Sequence, residues 1–131
     1  MSQFFSICAK CFEYEHERAQ FRQALSYIEG NLQQDLSLNQ IAQAAGVSAS
    51  HLKATFRQLT GVPVHQYVIR RREERAASLL AQGKLSIGEV AQEAGFAHQS
   101  HLAKHMHRLL GCSPKAVRRV LAREEERHEP E

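Results

Sequence analysis

The chain has 131 residues, of which 43% are hydrophobic, so it is long enough for one domain or for two very small domains that share an element. No apolar run approaches the roughly 20 residues of a membrane-spanning helix, and the N-terminus lacks the basic-then-apolar order of a secretory signal. We therefore expect a cytoplasmic protein with no membrane partner. Its three cysteines do not make a disulfide framework, and a cytosolic compartment would keep them reduced.

The formal net charge of +3 hides an uneven distribution along the chain. Residues 123–131 hold five Glu against two Arg, and residues 1–20 hold three Glu against one Lys and one Arg. The body of the chain, residues 21–122, therefore carries +7. A basic body favours a polyanionic partner, of which nucleic acid is the commonest, although a solvated basic surface would explain the charge equally well.

Residues 1–17 have weak periodicity and an aromatic bias, and we interpret them as an N-terminal arm or a linker. From about Glu17 to Leu32, apolar residues recur at the three- and four-residue spacing of an amphipathic helix. The first helix is predicted there, with its end at Gly30–Asn31 or at Asp35.

Two stretches then repeat one pattern: LSLNQIAQAAG (36–46) corresponds to LSIGEVAQEAG (85–95), and His51–Leu52 corresponds to His101–Leu102 after one inserted residue. In each copy a serine is suited to cap a short helix that ends at a glycine, and a second helix follows. This order is typical of a helix-turn-helix. The second helices are expected at about Ala49–Thr60, capped by Ser48 or Ser50, and at His98–Leu110. Their expected inward residues are Leu52, Thr55, Phe56 and Leu59 in the first copy, and Leu102, Met106 and Leu109 in the second.

The helix predicted at about Pro63–Gln82 joins the two copies, with Pro63 at a position that suits its missing N–H. Its length, roughly 30 Å, approaches the ~34 Å between successive major-groove faces of B-DNA. A last helix is expected from Pro114 to about Arg123. The predicted fold is all-α with about seven helices: a first helix-turn-helix subdomain (18–62), a connecting helix (63–82), a second helix-turn-helix subdomain (83–123) and an acidic tail (124–131).

The run GFAHQSHLAKHMHRLLGCSP (95–114) resembles the signature of the AraC/XylS family of transcription regulators, and residues 36–68 resemble the first helix-turn-helix of that family. The resemblance covers about residues 20–120. It implies a sequence-specific regulator, such as an activator, which binds double-stranded DNA and RNA polymerase and is neither an enzyme nor dependent on a cofactor. Most relatives carry a separate sensor domain, so the chain is either a stand-alone regulator of the MarA/SoxS kind, which we favour, or a fragment.

By resemblance, the second helix of each repeat reads the bases. Lys and Arg donate to guanine, Gln pairs with adenine, and Ser bonds to bases or phosphates. The candidate DNA-binding residues are Ser48, Ser50, His51, Lys53, Ala54, Arg57, His98, Gln99, Ser100, His101, Lys104 and His107, with Ala103 also on the outward face of the second reader.

Four positions depart from the usual pattern of the family. Many relatives have Arg where Ala54 stands, so the first reader lacks a donor. His98 replaces a usual Asp and removes a strong helix cap. Val117 replaces a usual Tyr and Glu73 a usual Leu, and these two are expected to change packing more than recognition.

Other chemistry is weighed against this interpretation. His101 and His105 share a helical face at a spacing that zinc can use, but we expect no metal, and we expect some of these rings to donate to phosphates instead. Cys8-x-x-Cys11 is interpreted as surface or packing cysteines. The alternative function is a protein- or metal-binding interaction module on the same fold.

The connecting helix carries Arg70, Arg71, Arg72 and Arg75, which first suggest a DNA-binding stripe. Glu73 and Glu74 interrupt it, and Arg72 falls on the apolar face. We therefore expect Arg72 to be paired inside the protein, and the helix to act as a ruler between the two readers.

Overall fold

The computed structural model describes the backbone of residues 9–128 and the side chains of residues 18–121 and 123. Within this part of the chain there are seven α-helices and no strand, which confirms the all-α prediction. The first begins earlier than the expected Glu17, and the last extends beyond Arg123. The helices are α1 (Ala9–Gly30), α2 (Leu38–Ala45), α3 (Ala49–Thr60), α4 (Val64–Gln82), α5 (Ile87–Ala94), α6 (Gln99–Leu110) and α7 (Pro114–His128).

The chain divides into two compact units, and the division falls inside α4. The first unit comprises the chain up to Asn31 together with Leu36–Tyr67. The second comprises Leu32–Asp35 and everything from Val68 onward. The predicted connecting helix is thus shared between the units at the level of packing, with its first turn in one and the remainder in the other.

In the first unit, α1, α2 and α3 pack against one another, and Phe56 of α3 has no exposed surface. The Phe56 ring lies 5.1 Å from that of Phe21 and 5.1 Å from that of Tyr67 (centroid to centroid), in tilted and edge-on arrangements that suit aromatic quadrupoles. The other buried apolar residues of this unit are Ala24, Ile28, Ile41, Ala42, Ala45, Leu52 and Val64.

The second unit has a core to which α4, α5, α6 and α7 all contribute. Its members follow the apolar positions that the sequence indicates, because a helical stripe can leave water only by facing other stripes. They are Ala76, Leu80, Val90, Ala91, Ala94, Phe96, Leu102, Met106 and Val117.

Two residues that were expected to point inward do not. Leu59 is 37% exposed and Leu109 is 49% exposed. Both lie in the last turn of a helix, and each is followed by a glycine that ends the helix, Gly61 and Gly111. The prediction failed because the apolar spacing extends the predicted buried face to the end of the helix, whereas the neighbouring residues that bury it reach only to one turn before the end.

The segment Leu32–Asp35, between α1 and α2, belongs to the second unit, and Arg72 holds it there. The Arg72 Nε atom donates to the Leu32 carbonyl at 3.0 Å, and its Nη2 atom donates to the Gln34 carbonyl at 2.7 Å. Burial lowers the pKa of the Arg72 guanidinium, while Asp35 raises it. This confirms that Arg72 is paired inside the protein, with backbone carbonyls as its partners.

No helix in the described part of the chain combines the length and the apolar character that crossing a bilayer requires.

Candidate nucleic-acid interface

The first helix-turn-helix is formed by α2 and α3, and its turn is fixed by backbone chemistry. Ser37 caps α2 in a capping box, with its hydroxyl accepting from the Gln40 N–H and the Gln40 side chain accepting from the Ser37 N–H. Gly46 ends α2 in the left-handed region at φ +72°, and the Val47 N–H then donates to the Ala42 carbonyl. These bonds redirect the chain into α3, as the sequence predicts.

Ser48 begins α3, since its hydroxyl accepts a hydrogen bond from the His51 N–H at 3.1 Å. The structure therefore selects Ser48, rather than Ser50, as the cap. Residues Ser50, Lys53, Ala54 and Arg57 follow at the spacing of one helical face, and all four are exposed. His51 is exposed as well, beside the start of the helix.

The second helix-turn-helix, α5 and α6, repeats the arrangement. Ser86 caps α5 through a capping box with Glu89, and these hydrogen bonds lower the pKa of the Glu89 carboxyl. Gly95 ends the helix at φ +96°, and the Phe96 N–H donates to the Ala91 carbonyl. The two copies of the sequence repeat therefore share the same capping and turn hydrogen bonds.

The start of α6 departs from the start of α3. His98 has the extended backbone of a helix cap but makes no side-chain capping bond, as its replacement of Asp leads one to expect. Its ring instead packs against that of His101, with centroids 5.5 Å apart. The first-turn N–H groups of α6 therefore lack the partner that Ser48 supplies in α3.

The outward face of α6 carries Gln99, Ser100, Lys104 and His107, and all four are exposed, as are His98 and His101. Ala103 is half-buried, so it lies at the edge of this face. The predicted residues thus lie on, or beside the start of, the exposed faces of two helices, one in each unit.

The two faces share an electrostatic property. Neither α3 nor α6 contains an Asp or a Glu, whereas α4 and α5 each contain two acidic residues. The cations on α3 are Lys53 and Arg57, and those on α6 are Lys104 and Arg108. Arg108 was not among the predicted residues, although its position four residues after Lys104 could have indicated it.

His105 is the member of the histidine cluster that turns inward. It is half-buried, its ring lies 5.0 Å from that of Phe96, and its Nδ1 lies 3.1 Å from Arg108 Nη2. Nδ1 is also 3.6 Å from the Oε2 atom of Glu73, which is 5% exposed. Burial lowers the pKa of His105, Glu73 raises it, and Arg108 and His101 lower it further.

No group of three or more His, Cys, Asp or Glu residues within the described part of the chain is arranged to hold a metal ion. The Cys8-x-x-Cys11 motif lies outside the described residues as far as its side chains are concerned.

Comparison with known proteins places these features in a family. A family described as "Helix-turn-helix domain" matches residues 32–120. The HTH-type transcriptional activator AarP of Providencia stuartii is 36% identical over 80% of this chain and 82% of its own length. The virulence regulon transcriptional activator VirF of Yersinia enterocolitica is 33% identical over 70% of this chain, but only 34% of its own length is covered.

Solved structures agree. An AraC-type transcriptional regulator from Chromobacterium violaceum superimposes with a TM-score of 0.74 at 28% identity, covering 80% of this chain and 94% of that one. The DNA-binding domain of AdpA, solved in complex with a target DNA, gives a TM-score of 0.73 at 29% identity, covering 85% and 98%.

Two capped helix-turn-helix units with cationic outward helices define a DNA-binding transcription regulator. The chain belongs to the AraC/XylS family. It spans most of the length of AarP but about a third to two fifths of the lengths of several other relatives.

Proposed function

We propose that the chain binds double-stranded DNA sequence-specifically, with α3 and α6 inserted in adjacent major grooves. The observation that carries this proposal is the pair of exposed, carboxylate-free helix faces, each presented by a glycine turn. Lys, Arg, Gln and Ser on these faces supply the donors that base edges and phosphates accept. Helix α4 has 19 residues, or about 28 Å, close to the ~34 Å between successive groove faces.

The two readers differ in what they offer a base pair. On α3, Ala54 supplies only a methyl group, so Lys53 and Arg57 are the residues that donate to guanine. On α6, Gln99 and Lys104 offer a donor–acceptor amide and a cation. We therefore expect α6 to specify its half-site more strongly than α3.

A role in activating transcription is proposed from the relatives of the chain. Activation of transcription, which the names of AarP and VirF state for those proteins, is proposed for this chain, with RNA polymerase as its second partner and the cytoplasm as its location. If the chain is instead an interaction module, the outward faces of α3 and α6 do not bind DNA.

The test begins with selection of bound sites from a random DNA library, followed by affinity measurements at two salt concentrations. Several phosphate contacts predict that affinity falls steeply with salt. Replacing Arg57 or Lys104 by Ala should cost about 1–3 kcal/mol of discrimination at one base pair. Arg70→Ala, which removes an exposed arginine of α4, serves as the matched control and should leave the base preference unchanged.

Two outcomes contradict the proposal. A protein that selects no sequence and shows no salt-dependent DNA binding would instead support an interaction module. If Arg70→Ala and Arg57→Ala weaken DNA binding equally, and do so for every DNA sequence tested, the protein binds DNA by charge alone.

A further inference from the structure

Glu73 is a buried acid in a helix whose neighbouring acid is at the surface. Glu73 is 5% exposed, whereas the adjacent Glu74 is paired with Arg71 in solvent. The Oε2 atom of Glu73 is buried and accepts no hydrogen bond. A carboxylate oxygen that has left water without gaining a donor is costly in a packed interior, so it favours any change that brings one.

His105, on α6, can supply that donor. Its Nδ1 atom lies 3.6 Å from Glu73 Oε2 and 3.1 Å from Arg108 Nη2. A ring nitrogen accepts a hydrogen bond when it is bare and donates one when it carries a proton, so Nδ1 serves one of these two neighbours at a time. The proton on Nδ1 therefore decides whether His105 bonds to Arg108 on its own helix or to Glu73 on α4.

The surroundings of the ring oppose its charge at neutral pH. Burial beside Phe96 lowers the pKa of His105, as do Arg108 and His101 on the same helix, and Glu73 is the group that raises it. On acidification the ring gains its proton, loses the bond from Arg108 and forms an ion pair with Glu73. The Arg108 side chain, at an exposed position, returns to water.

We propose that Glu73 is a positioning residue for α6, tying this helix to α4 through a proton on Nδ1 of His105 and so making recognition of the second half-site depend on pH. This inference rests on the proposed function, in which α6 reads bases. His105 directly follows Lys104 and lies two residues before His107, so any constraint on its ring constrains the residues of the outward face as well. Leu, the residue usual in the family at the position of Glu73, would leave the His105 ring without an acidic neighbour.

The first experiment uses free protein and no DNA. The titration of the His105 ring is followed by NMR, with His105→Gln to assign its signal. In Glu73→Gln, which keeps the size of the side chain but removes its charge, the midpoint should move to lower pH, while the surface control Glu74→Gln should leave it unchanged. A midpoint that is the same in Glu73→Gln as in the unsubstituted protein overturns the proposal.

The second experiment measures discrimination. At fixed salt, the affinity for a selected site is divided by that for the same site with its second half scrambled, at one pH below and one pH above the His105 midpoint that the first experiment measures. This ratio should rise at the lower pH on the order of fivefold, the low end of a typical coupling between sites. In Glu73→Gln the ratio should be the same at both pH values. Glu73→Leu should give the same result and guards against a packing defect that is particular to Gln.

The outcomes distinguish failure of this proposal from failure of the proposed DNA-binding function on which it rests. If the protein binds its site and the ratio rises equally with and without Glu73, the positioning role is wrong and the DNA-binding function stands. If the protein binds no DNA while Glu73→Gln still shifts the His105 titration, the proposed function fails, and the role in recognition fails with it.

Discussion

Gly95 is the residue at which the second helix-turn-helix leaves no room for a side chain. Its φ of +96° lies in the left-handed region, where a Cβ is strained. A Cβ built there would overlap the Leu32 carbonyl oxygen and approach Arg72 Nε to 2.8 Å. The Leu32 carbonyl lies close to both Arg72 and Gly95. This close approach both allows the hydrogen bond from Arg72 and excludes a side chain at Gly95.

Replacing Gly95 by Ala should lower the free energy of unfolding by about 3 kcal/mol or more, because backbone strain adds to a steric overlap with backbone atoms. Gly111→Ala is the matched control, since its φ is +74° with nothing within 4 Å of the added Cβ. That substitution should cost only the conformational strain, about 1–2 kcal/mol. Urea unfolding measures both, and equal losses would show that the close approach at Leu32 does not matter.

At the scale of the element, the two helix-turn-helix motifs differ at the start of the recognition helix. Ser48 satisfies a first-turn N–H of α3, whereas His98 leaves those of α6 without a side-chain partner. The sequence already indicated this difference, because histidine is a poor cap and stands where Asp is usual. What the structure adds is that the His98 backbone is already in cap geometry, at φ −143° and ψ 156°.

His98→Asp should therefore stabilise the second unit by about 0.5–1 kcal/mol at neutral pH, through a capping bond and a favourable charge at the helix N-terminus. His107→Asp places the same charge in the last turn of the same helix and should destabilise it. Thermal unfolding at matched salt measures both variants. A gain from both substitutions, or from neither, would contradict the capping explanation.

At the scale of the whole molecule, α4 is the element that both units share. Its residues from Val68 onward pack in the second unit, with Val68, Ala76 and Leu80 buried. An insertion near Ala77, in the middle of this packed stretch, would disturb the second unit itself. The boundary between Tyr67 and Val68 is the better position, because neither unit is interrupted there.

Two alanines inserted between Tyr67 and Val68 should rotate the residues beyond them by about 200° around the helix axis. The Arg72 hydrogen bonds to the Leu32 and Gln34 carbonyls should be lost, whereas the helices on each side of the insertion should still fold, with helical content and cooperative melting retained. Affinity for the selected two-groove site should fall toward that for a single half-site. Full retained affinity, in a variant shown to be folded, would refute the role of α4 as a ruler.

The sequence by itself determined the helices, their caps and the repeat, because these depend on local rules. Serine caps and glycine stops act within a few residues, and apolar spacing of three and four residues identifies the buried face of a helix. The faces of α3 and α6 could be predicted for the same reason. Leu59 and Leu109 were misplaced because the end of a packed face depends on neighbours, which periodicity does not specify.

Only the tertiary structure decided how polar groups far apart in the chain meet. That Arg72 holds the carbonyls of Leu32 and Gln34, and that Glu73 is buried beside His105, depends on contacts between residues separated by some 30 to 40 positions. The sequence predicted that Arg72 is paired inside the protein, but it did not specify the partners, because these lie on a distant segment of the chain. The family could thus be recognised from the repeat, whereas the acid–imidazole contact on the second recognition helix required the folded chain.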